Sequence, residues 1–593
     1  MSTTTIAILP FVNMSSDEEN EYFCDGMTEE IINALAKIDH LKVTSRTSSF
    51  FFKGKNMPIQ QVAEELNVEV ILEGSIRKGG NQVRITAQLI QAADDFHFWS
   101  ETWDRKLENV FEVQDEISLE IASKVREQFG HFEISEHLVT PQTTNIDAYQ
   151  LSLKARHLFN KWNPEDVKTS ISMFEEVIKM DPKHTESYVG LADAYSFMAT
   201  TTFMPPEVAW PKSVEYTHIA YELDPKNAGV HYLLANLAFF QDCNFQLAFE
   251  HGLRAVKYKP SYPEAQQYLT FLYIQVGDME TAKHHLQLAL GIDPLSPGTK
   301  FYLGYYQYRS GDFEAALTTM NKLLDENPLN IPAFIVRFYA LLMLDRCEEV
   351  LESVKNTPES IQIPDELLGV ECLAYIKMGD SENLANALPR LESAANNPMS
   401  FQAHSYLFLA YINSGQLDEA FALLERSLEM KSSIFLLSYS DPLTAKARKD
   451  PRYPQFESRI YGTEIPKEVE KPKKHDLLEA NVAEEYVTKV QSYMTSEKAF
   501  LNPELNLRGL AERLEIHPNQ LSWVINEKIG KRFNEFINQY RINHFKVLAK
   551  DPSNSHISLV GLAYESGFNS KTVFNTFFKK QEGITPSQFL KSV

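Results

Sequence analysis

Between about residues 146 and 430 the sequence returns to itself with a fixed step, and no other feature narrows the possible folds as much. Pro182, Pro225, Pro260, Pro294 and Pro328 close the segments KMDP, ELDP, KYKP, GIDP and DENP at spacings of 43, 35, 34 and 34 residues. The first spacing is longer by the nine or so residues of an expected loop around TTTFMPPEVAWP. A second marker keeps the same step: Cys243, Gly277, Gly311, Asp345 and Gly379 stand 34 apart, followed five residues later by Ala248, Ala282, Ala316 and Val350. A helix pair of this length leaves an apolar face that only another pair can cover, so the period predicts a stack of about eight pairs, the last around Tyr406 to Leu428. Ala282 and Ala316 are small because helices cross closely there. Tyr232, Tyr268, Tyr302, Tyr306 and Tyr308 are expected to be packing and helix-surface residues for the most part, with a minority lining a groove.

With that period, residues 140–460 resemble the tetratricopeptide repeat family, which implies an all-α superhelix with a concave groove suited to a peptide or protein segment. A rigid spacer or a dimerisation arm, and hence a homodimer, is the alternative use of such an array. At 593 residues the chain is too long for one compact unit, and 44% hydrophobic with 23% charged residues is an ordinary globular balance. The longest mostly apolar stretch, Ile331 to Leu344, is 14 residues long and contains Arg337, too short and too charged for a membrane span. Cys24, Cys243, Cys347 and Cys372 are widely separated, with no C-x-x-C pair, so neither a disulfide framework nor a metal site is expected and a reducing cytoplasm fits.

Residues 1–130 read as a small α/β domain. TIAILPFV (5–12) is a strand; a helix follows, with Thr28 as its expected cap and Ile31, Ile32, Leu35 and Ala36 at helical spacing. LKVTS, a helix over 59–66, and two alternating strands joined at Gly79-Gly80-Asn81 complete it. The segments RTSSFFFKGK, ILEGSIRKGGNQVRITAQLI and FWSETWDRKL resemble the TolB-amino-terminal-like domain found in bacterial regulators and beside some cyclases. Arg46, Lys53 and Lys55 lie in a stretch without the spacing of a phosphate-cradling loop.

Residues 461–480, with TEIPKEVEKPKKHD, have the composition of a linker, and the charge changes sign beyond them. The whole chain carries −23, which taken alone argues against nucleic acid, but residues 481–593 hold 14 basic and 11 acidic residues, a net +3, leaving −26 on the first 480. Here two helix-turn-helix patterns occur in tandem. Leu507, Leu510, Ala511 and Leu514 line one helix, and Leu521, Val524 and Ile525 turn inward from the next, which puts Asn519, Gln520, Trp523 and Glu527 outward. In the second pattern Ser566-Gly567-Phe568 is the turn and Ser570 the cap; Phe574, Phe577 and Phe578 point inward, leaving Lys571, Thr572, Asn575, Thr576 and Lys579 on the open face.

LAERLEIHPNQLSWVINEKIGKRFNEFINQYRI and LAYESGFNSKTVFNTFFKKQEGITPSQF closely resemble the AraC/XylS-type transcription regulators over about residues 484–592. That resemblance implies a two-lobed, all-helical domain on double-stranded DNA, each lobe placing its second helix in a major groove. Base-edge candidates are then Asn519, Gln520 and Trp523 in lobe one and Lys571, Thr572, Asn575 and Thr576 in lobe two, with Lys579 on the same face and Arg532 on the phosphates. The expected whole is multidomain: a cytoplasmic, sequence-specific transcription regulator whose N-terminal and repeat regions sense a ligand or partner. A repeat scaffold whose C-terminal module docks protein is the alternative. G-x-S-x-G, H-E-x-x-H and P-loop patterns are absent from the sequence, and neither enzymatic activity nor a cofactor is expected.

Overall fold

The computed structural model describes residues 4–15, 20–106, 110–139, 143–160, 164–200, 203–397, 400–462, 465–466 and 477–591, and most of the expected linker lies outside them. The architecture is multidomain, with a small N-terminal sheet region, a large helical superhelix and a C-terminal helical region.

The sheet contains β1 (Thr4–Ile8), β2 (Val12–Asn13), β3 (Leu41–Val43), β4 (Val70–Gly79), β5 (Gln82–Gln91) and β6 (Phe96–Lys106). Its order is β3-β1-β4-β5-β6, with β2 beside β4. β1 runs parallel to β3 and β4, and the β4–β5–β6 meander is antiparallel with Gly79 opposite Gln82. Alternation sorts the side chains: Ile6, Ile8, Val70 and Leu72 pack against α1 (Glu21–Leu35) and α4 (Val110–Phe129), while Ala7 and Ile71 face α3 (Ile59–Leu66). Thr28 is not the cap of α1, which begins seven residues earlier; its Oγ1 accepts from Phe11 N (3.0 Å) inside the helix, where the loop after β1 needs an acceptor.

Among the described residues, sixteen α-helices from Ile146–Phe159 to Leu417–Glu429 form eight antiparallel pairs. The 34-residue step has a backbone cause. Cys243, Gly277, Gly311, Asp345 and Gly379 all adopt positive φ (51°, 79°, 91°, 56° and 70°), ending the first helix of each pair. In four of the five the following residue caps the second helix: Asn244, Asp278, Asp312 and Asp380 accept from Leu247, Thr281, Ala315 and Asn383 N. Ala248, Ala282, Ala316 and Val350 are fully buried where the helices cross, and Tyr268 and Tyr308 are buried as packing residues. Part of the expected loop at TTTFMPPEVAWP is helical: it begins the long helix Pro206–Leu223, with Pro206 in the first turn, where its missing N–H is not needed.

After the last pair the chain turns back. The helices Ser433–Tyr439 and Tyr453–Tyr461, with the short turns between them, lie against helices of the third, fifth, sixth and eighth pairs. Phe435 meets Phe408 (ring centroids 4.9 Å apart), Tyr461 meets Phe245 (4.8 Å) and Tyr439 stacks on Tyr453 (4.4 Å). Polar anchors fix the register: Tyr308 Oη donates to Asp441 Oδ1 (2.7 Å), Arg309 Nη2 to Ser440 O (3.0 Å) and Asn413 Nδ2 to Leu443 O (3.1 Å). The chain's own segment thus covers part of the apolar surface that these helices leave open.

The N-terminal domain docks on the repeats through Asp293 of the GIDP segment. Its carboxylate accepts from Ser48 N (3.1 Å), Ser48 Oγ (2.6 Å) and Ser45 Oγ at the start of α2 (Arg46–Phe50). Replacing the fully buried Tyr439 by alanine is expected to cost about 3–5 kcal/mol through lost burial and a cavity, and to loosen the array. Urea unfolding followed by helical circular dichroism, with proteolysis at residues 430–461, measures both effects.

Candidate nucleic-acid interface

The C-terminal region is built on two small cores joined by one long helix. Lobe one holds the helices Leu507–Arg513 and Pro518–Trp523, the latter continuing as a π-helical turn over Val524–Lys528. Asn506 caps the first (Gly509 N, 2.7 Å), and His517 Nδ1 caps the second (Asn519 N, 3.2 Å). The linking helix Phe533–Lys550 carries the chain to lobe two, with helices Leu559–Glu565 and Lys571–Glu582 capped by Ser558 and Ser570. Phe574 and Phe578 are buried with Phe545, Phe568 and Leu562.

The two lobes meet at Gly567 and Arg541. Gly567 has φ +92°, and a Cβ there would stand 2.2 Å from Phe500 O, so conformation and space both require glycine. Arg541, 8% exposed, donates from Nε to Phe500 O (2.9 Å) and from Nη2 to Asn502 O (2.9 Å), and its guanidinium lies 5.7 Å from the Phe568 ring. Burial lowers its pKa to about 10, which leaves it charged near neutrality. This arginine was not among the sequence candidates; no pattern distinguishes a bridging arginine from a surface one.

In lobe two, Lys571, Thr572, Asn575, Thr576 and Lys579 are all exposed along one face of the helix Lys571–Glu582. The chemistry suits base edges, since asparagine pairs with adenine, lysine reaches guanine and the threonine methyl touches thymine. Thr576 also lines a cleft of about 890 Å³ between lobe two, the linking helix, β6 and α4, together with Lys580, Arg532, Trp99 and Glu120.

Lobe one differs. Trp523 is 5% exposed and belongs to a core with Ala483, Val524, Tyr486 and Val487, under the helix Ala480–Ser496. Its place among the base-reading residues is corrected: the extra helix covers the side of lobe one that a helical wheel of residues 518–525 leaves open. Gln520 is half-buried. Asn519 bonds to the N-terminal domain: its Oδ1 accepts from Arg126 Nη1 (2.6 Å) and from Ile134 N (3.1 Å), and its Nδ2 donates to Ile134 O (3.1 Å). Arg532 is exposed, with Nη1 3.4 Å from Gln128 O at the C-terminal end of α4, where the helix dipole favours a cation. Asn534 Nδ2 donates to Gln128 Oε1 (2.9 Å), and Leu507 N to Glu127 Oε1 (2.8 Å). Among the described residues, no group of three or more His, Cys, Asp or Glu is placed to hold a metal ion, and no helix is long and apolar enough to cross a membrane.

Residues 510–592 match the family model described as a helix-turn-helix domain, and residues 2–120 match that of the HilA/YgeH-like transcriptional regulator, second domain. Over the N-terminal domain the matching family is thus HilA/YgeH-like, and the TolB-like likeness stays a resemblance of segments. An uncharacterized transcriptional regulatory protein, YesN, of Bacillus subtilis (strain 168) is 29% identical over 90 residues, 15% of this chain and 24% of that protein. A protein of Rhizobium meliloti (strain 1021) named Putative adenylate cyclase 3 is 38% identical over 200 residues, 34% of this chain and 33% of its own length. The chain therefore spans a third or less of either relative. A tetratricopeptide repeat protein from Parabacteroides merdae superposes with a TM-score of 0.31 at 14% identity, covering 44% of this chain and 98% of that one. The likeness to the cyclase-named protein overturns the expectation that this chain is not an enzyme: the absence of a few motifs excluded only those motifs.

Gly567→Ala is expected to destabilise the lobe junction by at least about 2 kcal/mol, through strained φ and the approach to Phe500 O. Hydrogen exchange at residues 559–582 should rise while that of the repeats stays unchanged.

Proposed function

We propose that the chain is a sequence-specific, DNA-binding transcription regulator that reads duplex DNA through the helix Lys571–Glu582, and through Pro518–Trp523 once that helix is free. The observation that carries this reading is the division of Lys571–Glu582 into a buried aromatic side, Phe574 and Phe578, and an exposed side made of Lys571, Thr572, Asn575, Thr576 and Lys579. Such a face has no packing role in the fold; Lys571, Thr572, Asn575 and Thr576 are side chains that distinguish bases in a major groove, and Lys579 beside them suits a phosphate. The two matches to regulator families support it. A protein-docking module with the same exposed polar face would lack a reason for a net +3 beside an acidic remainder of −26.

In this reading residues 1–130, 140–460 and 481–593 are the domains, with 461–480 a linker, and the chain works in the cytoplasm, where a regulator meets bacterial DNA. The N-terminal domain and the repeats are its sensing part. Because Tyr439, Phe435 and Tyr461 cover part of the array, a protein partner engages another part of it or displaces residues 433–461.

The test is selection of bound sequences from a random duplex library with the full chain, followed by affinity measurement. Asn575→Ala is expected to cost about 1–3 kcal/mol on the selected duplex and to relax preference at one position. Lys579→Ala should weaken all duplexes alike and lower the salt slope by about 1. Equal losses for both variants on selected and random duplexes would remove the base-reading assignment.

A further inference from the structure

The contacts of Asn519 have a chemical pattern. An asparagine reads adenine by accepting from the N6 amino group and donating to N7, one acceptor and one donor on adjacent atoms. Ile134 presents the same pair: its N–H donates to Asn519 Oδ1 and its C=O accepts from Nδ2, both at 3.1 Å. Arg126 Nη1 adds a third bond to the same Oδ1 at 2.6 Å. Three of the four hydrogen-bonding positions of this amide are thereby occupied, and the edge that would meet a base is turned into the N-terminal domain.

The N-terminal side of the cleft is predominantly acidic, with Lys124 beside its glutamates, and Lys580 across it is paired with Glu535 (3.2 Å). Glu127 holds Leu507 N, and Glu101, Glu120 and Glu127 line the cleft that faces Arg532 and Lys580. The N-terminal domain therefore offers carboxylates and a peptide edge on the side where DNA would offer phosphates and a base edge. The arginine at this contact is itself imperfectly satisfied. Arg126 is 3% exposed and its Nε is buried without a hydrogen-bond partner. A buried, partly unsatisfied guanidinium disfavours the closed arrangement, which makes this surface suitable for release.

We propose that residues Arg126–Ile134 are an internal docking surface for lobe one, with the Ile134 peptide group standing where an adenine edge would stand, so that DNA and the N-terminal domain compete for Asn519. This rests on the DNA-reading proposal above. In the docked state lobe two alone is available, and anything that lifts the N-terminal domain frees the second reading helix.

The experiment compares the full chain with the variant Arg126→Met/Glu127→Ala and with Glu127→Gln/Gln128→Ala, which keeps the buried arginine should the first fail to fold. Far-ultraviolet circular dichroism establishes folding. Hydrogen exchange at the amides of residues 517–523 reports release, and selection from a random duplex library reports reading. The expected result is faster exchange over 517–523, about tenfold tighter binding, and a second half-site about one helical turn from the first that the parent chain does not select. Faster exchange with unchanged affinity and an unchanged selected sequence overturns the competition, as does a parent chain that already selects both half-sites. Exchange that stays as in the parent overturns the docking role of these side chains. If exchange rises and neither protein retains any duplex, DNA reading fails, and a block on it fails for that separate reason.

Discussion

An antiparallel helix pair buries only part of its apolar surface, and the rest must be covered by something else. In this chain that constraint propagates from end to end. Each pair covers its neighbour, with fully buried Ala248, Ala282 and Ala316 at the crossings. Part of the remaining apolar surface is covered by residues 433–461, through Phe435, Tyr439 and Tyr461.

The same array supplies the platform on which the N-terminal domain sits. The Asp293 carboxylate, 1% exposed, is held by hydrogen bonds from Ser45 and Ser48 at the start of α2. α4 of that domain reaches lobe one on its far side, through Arg126, Glu127 and Gln128. Contacts therefore run from the repeats through the N-terminal sheet domain to the C-terminal region at Asn519. The contacts along that route are polar, and polar contacts exchange for water or for another partner at small net cost.

The two lobes differ in what the rest of the chain does to them. Lobe two keeps Lys571, Thr572 and Asn575 exposed, whereas lobe one has lost Trp523 to packing under the helix Ala480–Ser496 and Asn519 to the N-terminal domain. Two copies of one local pattern are thus brought to different states by their neighbours.

Much was legible in the sequence because it is local. The left-handed residues at Cys243, Gly277, Gly311, Asp345 and Gly379 recur every 34 residues because each must end a helix, and such requirements act within a few residues. The hairpin at Gly80, the cap at Ser570 and the outward face of Lys571–Lys579 are of the same kind. β6 was missed as a strand because it is an edge strand with mostly exposed side chains, which leaves no buried alternation to read. Only the tertiary structure decided that Trp523 turns inward, that Arg541 ties the lobes together, that residues 433–461 line the repeats, and that Asn519 meets Ile134, 385 residues away. Hydrogen bonds and apolar contacts between distant segments carry no periodicity in the chain; they exist only once independently folded surfaces of matching shape and polarity are brought together.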